Sequence, residues 1–277
     1  MRSPIKVSVF TLLSILSGVC GFSQSLHYSD STRFRTVTGN TAHRPVVKKI
    51  KPIHTELSVG FRLQTDGWSL YVDRGRVKSD DEKRSDMFYN IGLWQAELGE
   101  RKNPKEYKST NSNLDPFAGV KPTPFIFGKI NNFYTFKLGI GRRVMIAGKP
   151  DPGSVSIHWV YLVGLSVGML KPYYIKTDNE ANPIKYSDAT RSKFLTESNI
   201  IGSAGFTQGL SEITFIPGFH AKTALHFDFA ANRKTALAIE TGMNVELYSQ
   251  SIPLMINQDA KPYFFDLFAA FQFGKRW

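Results

Sequence analysis

Apolar and polar residues alternate along much of the chain from residue 55 onward, with a period of two. In "TELSVGFRLQ" (55–64) the apolar residues Leu57, Val59, Phe61 and Leu63 occupy every second position. Such alternation predicts a β-strand with one apolar and one polar face. Seven further segments predict strands, which makes eight in total: "WSLYVDRGRV", "MFYNIGLWQAEL", "NNFYTFKLGIGRR", "SVSIHWVYLVGLSVGML", "HAKTALHFDF", "TALAIETGMNVELY" and the terminal aromatic segment from Tyr263.

The third of the eight predicted strands, "MFYNIGLWQAEL", alternates less regularly than the others. We assign Tyr89, Ile91 and Leu93 to its apolar face and Asn90 and Gly92 to its polar face. Trp94 then breaks the pattern.

Strand length separates a membrane barrel from a soluble sheet. Most segments reach the ~9 to 11 residues that a tilted membrane strand needs, whereas globular strands usually have about 5 or 6. Their polar faces carry Gly, Ser and charged residues, as a narrow lumen requires. The sequence predicts an all-β fold, an eight-stranded antiparallel up-and-down transmembrane β-barrel with long external loops. A soluble envelope β-domain, which also alternates polar and apolar residues, is the alternative.

The connections between the predicted strands alternate in length, as they do in outer-membrane barrels. The second, fourth and sixth are short ("KSDDEKRSD", "VMIAGKPDPGS", "AANRK"), which suits periplasmic turns. The third, fifth and seventh are longer and run roughly over 99–130, 172–218 and 249–262. The first external connection, "TDG", is an exception because it is only a tight turn. Long loops on a rigid scaffold commonly carry function, with disorder as the alternative. Among them, "FTQGLSEITFIPGFH" is apolar enough to fold over the barrel mouth as a lid or partner-facing cap.

The first residues have the parts of a secretory signal peptide. Arg2 and Lys6 precede the apolar run "VSVFTLLSILSGV", and small residues follow it. Cleavage near Ser23/Gln24 would remove Cys20, the only cysteine, so neither a disulfide nor a thiol nucleophile is expected. We predict a signal peptide at 1–23, a basic periplasmic arm at 24–53, a barrel at 54–277, and localisation in the bacterial outer membrane.

The chain is basic, with a formal charge of +12, or +10 once Arg2 and Lys6 are removed. Such an excess favours acidic partners. For an envelope protein these are outer-membrane lipids, the phosphates of lipopolysaccharide, or an acidic surface of another envelope protein. Export by a signal peptide argues against nucleic acid as a partner.

Charged residues of both signs fall on the predicted lumen faces. Mixed signs allow ion pairs, which a buried charge needs, so we expect a plug of ion pairs in place of a pore. The sequence contains no H-E-x-x-H, P-loop or acidic calcium-loop motif, so we predict no metal and no cofactor. The predicted lumen ion network consists of Glu56, Arg62, Asp73, Lys137, Lys222, Asp228, Glu240 and Asp266.

One strand carries a candidate catalytic pair. Ser156 and His158 are two positions apart, so their side chains point to the same face and suggest a Ser–His arrangement. An acid would have to come from another strand. A lumen histidine that shares a hydrogen-bond network is the competing interpretation.

Four segments resemble a family of small Bacteroidota-type outer-membrane β-barrel proteins: "IFGKINNFYTFKLGIGRR", "VGLSVGMLKPYYI", "AGFTQGLSEITFIPGFHAK" and "FQFGKRW". The resemblance covers most of the chain from Phe125 onward and is weaker before it. It implies the compartment and the barrel, and it carries over no catalytic residues.

The terminal segment "FFDLFAAFQFGKRW" predicts a closing strand with aromatic residues at alternate positions. Phe271, Phe273 and Trp277 resemble the signal that barrel-assembly machinery recognises, so we predict that machinery as a partner. The sequence as a whole predicts a non-enzymatic barrel that is an accessory or structural subunit of an envelope assembly or secretion complex. Two alternatives remain: an outer-membrane lipid-modifying enzyme of the lipid A deacylase type, and a small transport or ligand-binding barrel.

Overall fold

Eight long antiparallel strands dominate the computed structural model of the chain. The structure describes residues 53–77, 90–111, 122–148, 154–178, 180–230, 234–256 and 258–277. The long strands are β1 Thr55–Gln64, β2 Gly67–Val77, β3 Ile91–Arg101, β6 Asn131–Ala147, β7 Ser156–Pro172, β11 Thr214–Asp228, β12 Thr235–Ile252 and β13 Lys261–Arg276. The predicted signal peptide at 1–23 and nearly all of the predicted basic arm at 24–53 lie outside the described residues.

The eight strands pair in the order β1-β13-β12-β11-β7-β6-β3-β2 and form a closed barrel. Each strand pairs with its predecessor among the eight, and β13 returns to β1. Trp277 completes this last seam: its backbone N–H donates to Thr55 O at 3.0 Å, and its carbonyl accepts from the N–H groups of His54 and Thr55 at 3.0 and 2.9 Å. The predicted eight-stranded antiparallel barrel is confirmed.

The stagger of the strands fixes the shape of the barrel. A path of paired residues that leaves β1 at Gln64 returns to the chain at His54, ten residues earlier. A shear of ten with eight strands corresponds to a strand tilt of about 40° and an interior just wide enough for side chains. The path runs through Phe268, Gly242, Ala224, Val160, Arg143, Ile91 and Val77.

The two ends of the barrel differ in their connections. At the "turn end" the connections follow β2, β6 and β11, and those after β6 and β11 are short. Residues 78–89, which hold the predicted turn "KSDDEKRSD", lie outside the described residues. At the "loop end" β1 and β2 are joined by the predicted tight turn, while the segments 102–130, 173–213 and 253–260 form longer connections.

The strands expose apolar side chains outward and bury polar ones in the lumen. On β1, Val59 and Leu63 are exposed, whereas Glu56 and Arg62 are buried. The prediction for β3 was wrong: Ile91 and Leu93 face the lumen, and Trp94 is 68% exposed on the outer face. These two apolar residues fit inside because they join a buried apolar cluster near the turn end of the lumen. Shifting the phase of β3 by one residue moves every side chain to the other face.

The strands are of unequal length. β1, β2 and β3 have 10 or 11 residues, while β6, β7, β11, β12 and β13 have 15 to 18. β11 begins at Thr214, six residues before the predicted start at His220. Its Pro217 pairs with Val167 of β7, and it is tolerated because the pairing of β11 with β12 ends one residue later in the chain, at Gly218. Much of the segment predicted to form a lid is therefore strand.

Parts of the long connections fold into a small cap at the loop end. Two short sheets and a buried apolar cluster of Phe125, Ile175, Phe194 and Ile200 organise it. No helix in the described residues is long and apolar enough to cross a membrane. The short elements are β4 Lys108–Ser109, β5 Phe125–Ile126, β8 Tyr174–Thr177, β9 Ile184–Lys185, β10 Ile200–Ser203, a helical turn Arg191–Phe194, and 3-10 turns Glu197–Asn199 and Leu210–Glu212.

Candidate functional site

The lumen is the most highly charged part of the described barrel. Six cations and seven carboxylates on the eight long strands point into it and are buried. The two signs nearly balance, so each charge can be compensated without solvent. The cations are Arg62, Arg101, Lys137, Arg143, Lys222 and Arg276, and the carboxylates are Glu56, Asp73, Glu97, Asp228, Glu240, Glu246 and Asp266. All eight residues predicted for the lumen ion network lie in this set.

Near the loop end, Arg101 of β3 is the centre of an ion cluster. Its guanidinium lies 2.6 Å from Glu246 and 2.7 Å from Asp266, and it also contacts Asp66 in the β1–β2 turn. Lys137 Nζ lies 2.7 Å from the same Glu246. These contacts join β3 and β6 to β12 and β13, which are not their neighbours in the barrel, so the cluster spans the lumen.

Arg62 and Lys222 extend this cluster toward the middle of the barrel. Arg62 contacts Glu97, which in turn lies 2.7 Å from Lys137. Glu240 lies 2.9 Å from Lys222 Nζ and 3.7 Å from the Arg62 guanidinium. A continuous chain of charge contacts therefore runs from Lys222 to the cluster around Arg101.

Two aromatic rings enclose the guanidinium of Arg62. Its Cζ lies 4.6 Å from the ring centroid of Tyr71 and 4.4 Å from that of Phe268. Lys222 Nζ lies within 6 Å of the same two rings, at 5.8 and 5.9 Å. Cation–π contacts of this kind are strongest where water is excluded, so the rings stabilise both cations in the lumen.

A second cluster occupies the turn end. Glu56 accepts from Arg143 and from Arg276, both at 2.7 Å, and Arg276 also contacts Asp228. Asp73 accepts from the amide of Gln95 at 2.6 Å. Because Glu56 lies on β1, Arg143 on β6 and Arg276 on β13, this cluster also spans the lumen.

Several members of these clusters were missed in the sequence. Gln95 and Glu97 were not assigned to the lumen because Ile91 and Leu93 set the wrong phase for β3. Arg101 lies beyond the predicted end of that strand. The run of Trp94, Ala96 and Leu98 at alternate positions is the signal that would have placed Gln95 and Glu97 inside.

The candidate catalytic pair does not come together as a Ser–His dyad. Ser156 and His158 are both buried on the lumen side near the turn end. Ser156 Oγ lies 3.5 Å from the backbone oxygen of Asp228, at the limit of a hydrogen bond. The His158 ring packs edge-on against His226, with 5.9 Å between centroids. The geometry therefore favours the competing interpretation of His158 as a lumen residue.

Apolar rings close the lumen above the charges at the loop end. Phe133 packs edge-on against Tyr248 at 5.2 Å and is stacked with Phe264 at 5.5 Å. Ile216, Ile252 and Leu254 complete this buried cluster. The Tyr248 hydroxyl donates to Glu246 at 2.8 Å, so the apolar plug is anchored on the ion network below it.

The cap has polar contacts of its own. Glu212 accepts from the Tyr174 hydroxyl at 2.7 Å and from Lys185. The hydrogen bond from Lys185 lowers the pKa of Glu212 and raises the pKa of Lys185, and burial raises the pKa of Tyr173.

Within the described part of the chain, no group of three or more His, Cys, Asp or Glu side chains is arranged to hold a metal ion.

The residues of the predicted assembly signal lie on the outer face. Phe271 and Phe273 of β13 are exposed, as is the ring of Trp277. Phe271 pairs with Phe61 of β1 and with Ile239 of β12, so the strand lies within a continuous apolar surface. Its role in recognition by assembly machinery stays a prediction.

Comparison with known proteins gives only a similarity of fold. No protein-family model matches this sequence, and no match is found among curated proteins. The structure is similar to Ail, the attachment invasion locus protein of Yersinia pestis, in a crystal structure with the heparin analogue sucrose octasulfate (9% identity, 82% of this chain and 99% of that chain, TM-score 0.38). It is also similar to Neisserial surface protein A (7%, 81% and 95%, 0.38) and to the outer-membrane enzyme PagL (7%, 79% and 97%, 0.34). The Bacteroidota-type resemblance stays a prediction.

Proposed function

We propose that this chain is a non-enzymatic outer-membrane β-barrel whose external cap binds another component of an envelope assembly or secretion complex. The observation that carries the proposal is the contrast between a lumen filled by paired charges and a loop end built into an ordered cap. The lumen offers little room for a solute, while the cap offers surface for a partner.

The outer face supports placement in a membrane. Strands of 10 or 11 residues at the tilt given by the shear span about 25 Å along the barrel axis, which is the height of the apolar band of outer-membrane barrels. Exposed apolar residues cover this band on every long strand. Trp159 and Tyr161, whose rings lie 5.3 Å apart, suit the interface nearer the turn end.

The lumen supports a structural role. Arg101, Lys137 and Glu246 link strands across the interior, and Phe133 and Tyr248 close it above. Side chains fill the interior of an eight-stranded barrel of this kind, so the space left for a solute is small. A transport function would require these groups to separate, at the cost of leaving buried charges unpaired.

The cap supports a role in binding. It has its own apolar cluster, around Phe194, and it also exposes apolar residues to solvent: Tyr107 is 79% and Phe206 65% exposed. Exposed apolar residues on a folded loop are typical of contact surfaces for other proteins. The predicted basic arm would supply a second contact for an acidic partner in the periplasm.

Two measurements test the proposal. In planar lipid bilayers the purified barrel should give no ion-current steps. In cells, cross-linking should join the cap to a defined envelope protein, and Phe194→Asp, which places a charge in the cap cluster, should abolish that cross-link while the barrel keeps its heat-modifiable gel mobility.

Ser192→Asp is the matched control, because it adds the same charge at an exposed position of the same helical turn and leaves the exposed aromatic residues of the cap unchanged. It should leave the cap folded, which hydrogen exchange of the β8 and β10 amides would verify. Steady conductance by the wild-type protein would favour the transport alternative. A cross-link that survives Phe194→Asp would contradict the binding role of the folded cap.

A further inference from the structure

A groove lies between the outer wall of the barrel and the cap at the loop end. Its volume is about 390 Å³. The ends of β3, β6 and β7 form one side, and residues 102–108, 124–129, 173–174 and 203–206 of the connections form the other. The groove is outside the lumen and separate from the ion network described above. The residues that the argument uses are Lys102, Lys108, Lys129, Asn132, Lys171 and Phe206.

Lys171 is the most unusual residue of this groove. Alternation along β7 places it on the outer face, in line with Leu165 and Val167, which are exposed. The cap covers most of its side chain, so Lys171 is only 2% exposed. Its Nζ lies 4.9 Å from the ring centroid of Phe206, and no carboxylate of the described residues lies within 4.0 Å of it.

Every other buried cation of the described barrel and cap has a carboxylate partner. Lys129, which lines the same groove, pairs with Glu106 at 2.6 Å, and Lys137 and Lys222 pair in the lumen. An ammonium group that opens only into a narrow groove and has no counter-charge there costs free energy unless an anion or water meets it. Lys171 therefore marks a place where an anion would be stabilised.

The other residues that line the groove also favour an anion. Four lysines line it, against two carboxylates, Glu100 and Glu106. Glu100 is already engaged with Trp68 Nε1 at 3.0 Å and with Lys102 at 3.3 Å, and Glu106 with Lys129. Asn132, directly opposite Lys171 in the register of β6 and β7, adds an amide that can donate a hydrogen bond.

We propose that this groove binds a phosphate group and that Lys171 supplies the central charge contact. Ammonium groups and neutral N–H donors are the partners that a phosphate oxygen requires, and a lysine serves as a point charge for it. The group could belong to a lipid headgroup or to a free phosphate. The lipid source rests on the proposed membrane placement, whereas the anion site itself does not.

The test measures phosphate binding by purified variants. For the wild-type protein in uncharged detergent micelles, calorimetric titration with inorganic phosphate at constant ionic strength reports a free-phosphate site. For the protein in nanodiscs, native mass spectrometry compares retention of lipid A with and without its phosphates. Lys171→Met should weaken the binding of whichever phosphate ligand occupies the site by about tenfold or more, because it removes a charged hydrogen-bond donor.

Two variants keep the test interpretable. Lys171→Arg retains the charge and should keep binding within a few fold. Lys261→Met removes an exposed lysine from β13, outside the groove, and should change binding by less than about twofold. Heat-modifiable mobility verifies that each variant is folded. Phosphate binding that depends on Lys171 supports the site, and dependence seen only with phosphorylated lipid A identifies a headgroup. The proposal is overturned if neither ligand binds, or if Lys261→Met weakens binding as much as Lys171→Met.

Discussion

The outer face and the lumen of the barrel are built by alternate residues of the same strands, yet they obey opposite rules. On β13, Phe265 and Phe271 are more than half exposed, while their near neighbours Asp266 and Gln272 are fully buried. The outer residues meet a solvent that we propose to be lipid, which tolerates many apolar shapes. The lumen residues meet one another and must match in charge and geometry.

This difference implies that the two faces respond to different substitutions. Polarity should decide the outcome on the outer face, because lipid chains adapt to the size of a side chain but do not solvate a charge. Geometry and charge balance should decide it in the lumen, because each group there is fixed by partners on distant strands. Three substitutions test this contrast, each with a matched control.

The largest effect is expected from Arg101→Met in the lumen. The substitution keeps much of the side-chain volume but leaves Glu246, Asp266 and Asp66 without their shared cation. Removing one partner of a buried ion pair costs about 3 to 5 kcal/mol. Reversible denaturant unfolding in lipid vesicles would measure the loss in the free energy of unfolding.

Arg142→Met is the control, since Arg142 is exposed on the outer face of β6 opposite Tyr161, at the proposed interface where an arginine reaches water, and no carboxylate of the described residues pairs with it. It should change the free energy of unfolding by less than about 0.5 kcal/mol. Equal losses in the two variants would mean that the lumen network contributes nothing beyond the removal of an arginine.

The outer face could be predicted from the sequence because its signal is local. A period of two over ten residues shows which side chains share a face, and on β1, β7 and β13 the predicted phase is that of the structure. The phase failed on β3, where Ile91 and Leu93 are apolar but face inward. Alternation alone does not distinguish a lumen apolar cluster from the lipid face.

The pairings of the lumen and the cap could not be predicted, because their signals are not local. Arg101 and Glu246 are 145 residues apart and meet only through the closure and stagger of the barrel. The cap consists of strands of two to four residues, too short to show a period. The covered position of Lys171 depends on the cap and was missed for the same reason.

The next largest effect is expected from Leu165→Arg on the outer face. Leu165 is 61% exposed and lies midway on β7 between the aromatic pair of Trp159 and Tyr161 and the covered Lys171. An arginine at the middle of the lipid face of a barrel costs about 2 to 4 kcal/mol. The same unfolding measurement in vesicles applies.

Ile146→Arg provides the comparison for that substitution. Ile146 is equally exposed, at 61%, but lies near the turn end of β6, beyond the position paired with Trp159. The cost there should fall to about 0 to 1 kcal/mol, because an arginine at the interface reaches water. Equal costs at the two positions would contradict the placement of the apolar band. A negligible cost at both would contradict the proposal that the barrel lies in a membrane.

The smallest effect is expected from two phenylalanine-to-leucine variants of β13. Each replaces an aromatic ring by an aliphatic side chain, one in the lumen and the other on the outer face. Phe268→Leu removes one of the two rings that enclose Arg62 and should lower the free energy of unfolding by about 1 to 2 kcal/mol through the lost cation–π contact and the imperfect fit. Phe271→Leu, three residues along on the outer face, should cost less, because lipid refills the space. A larger loss for Phe271→Leu would reverse the contrast between a lumen that depends on geometry and an outer face that depends on polarity.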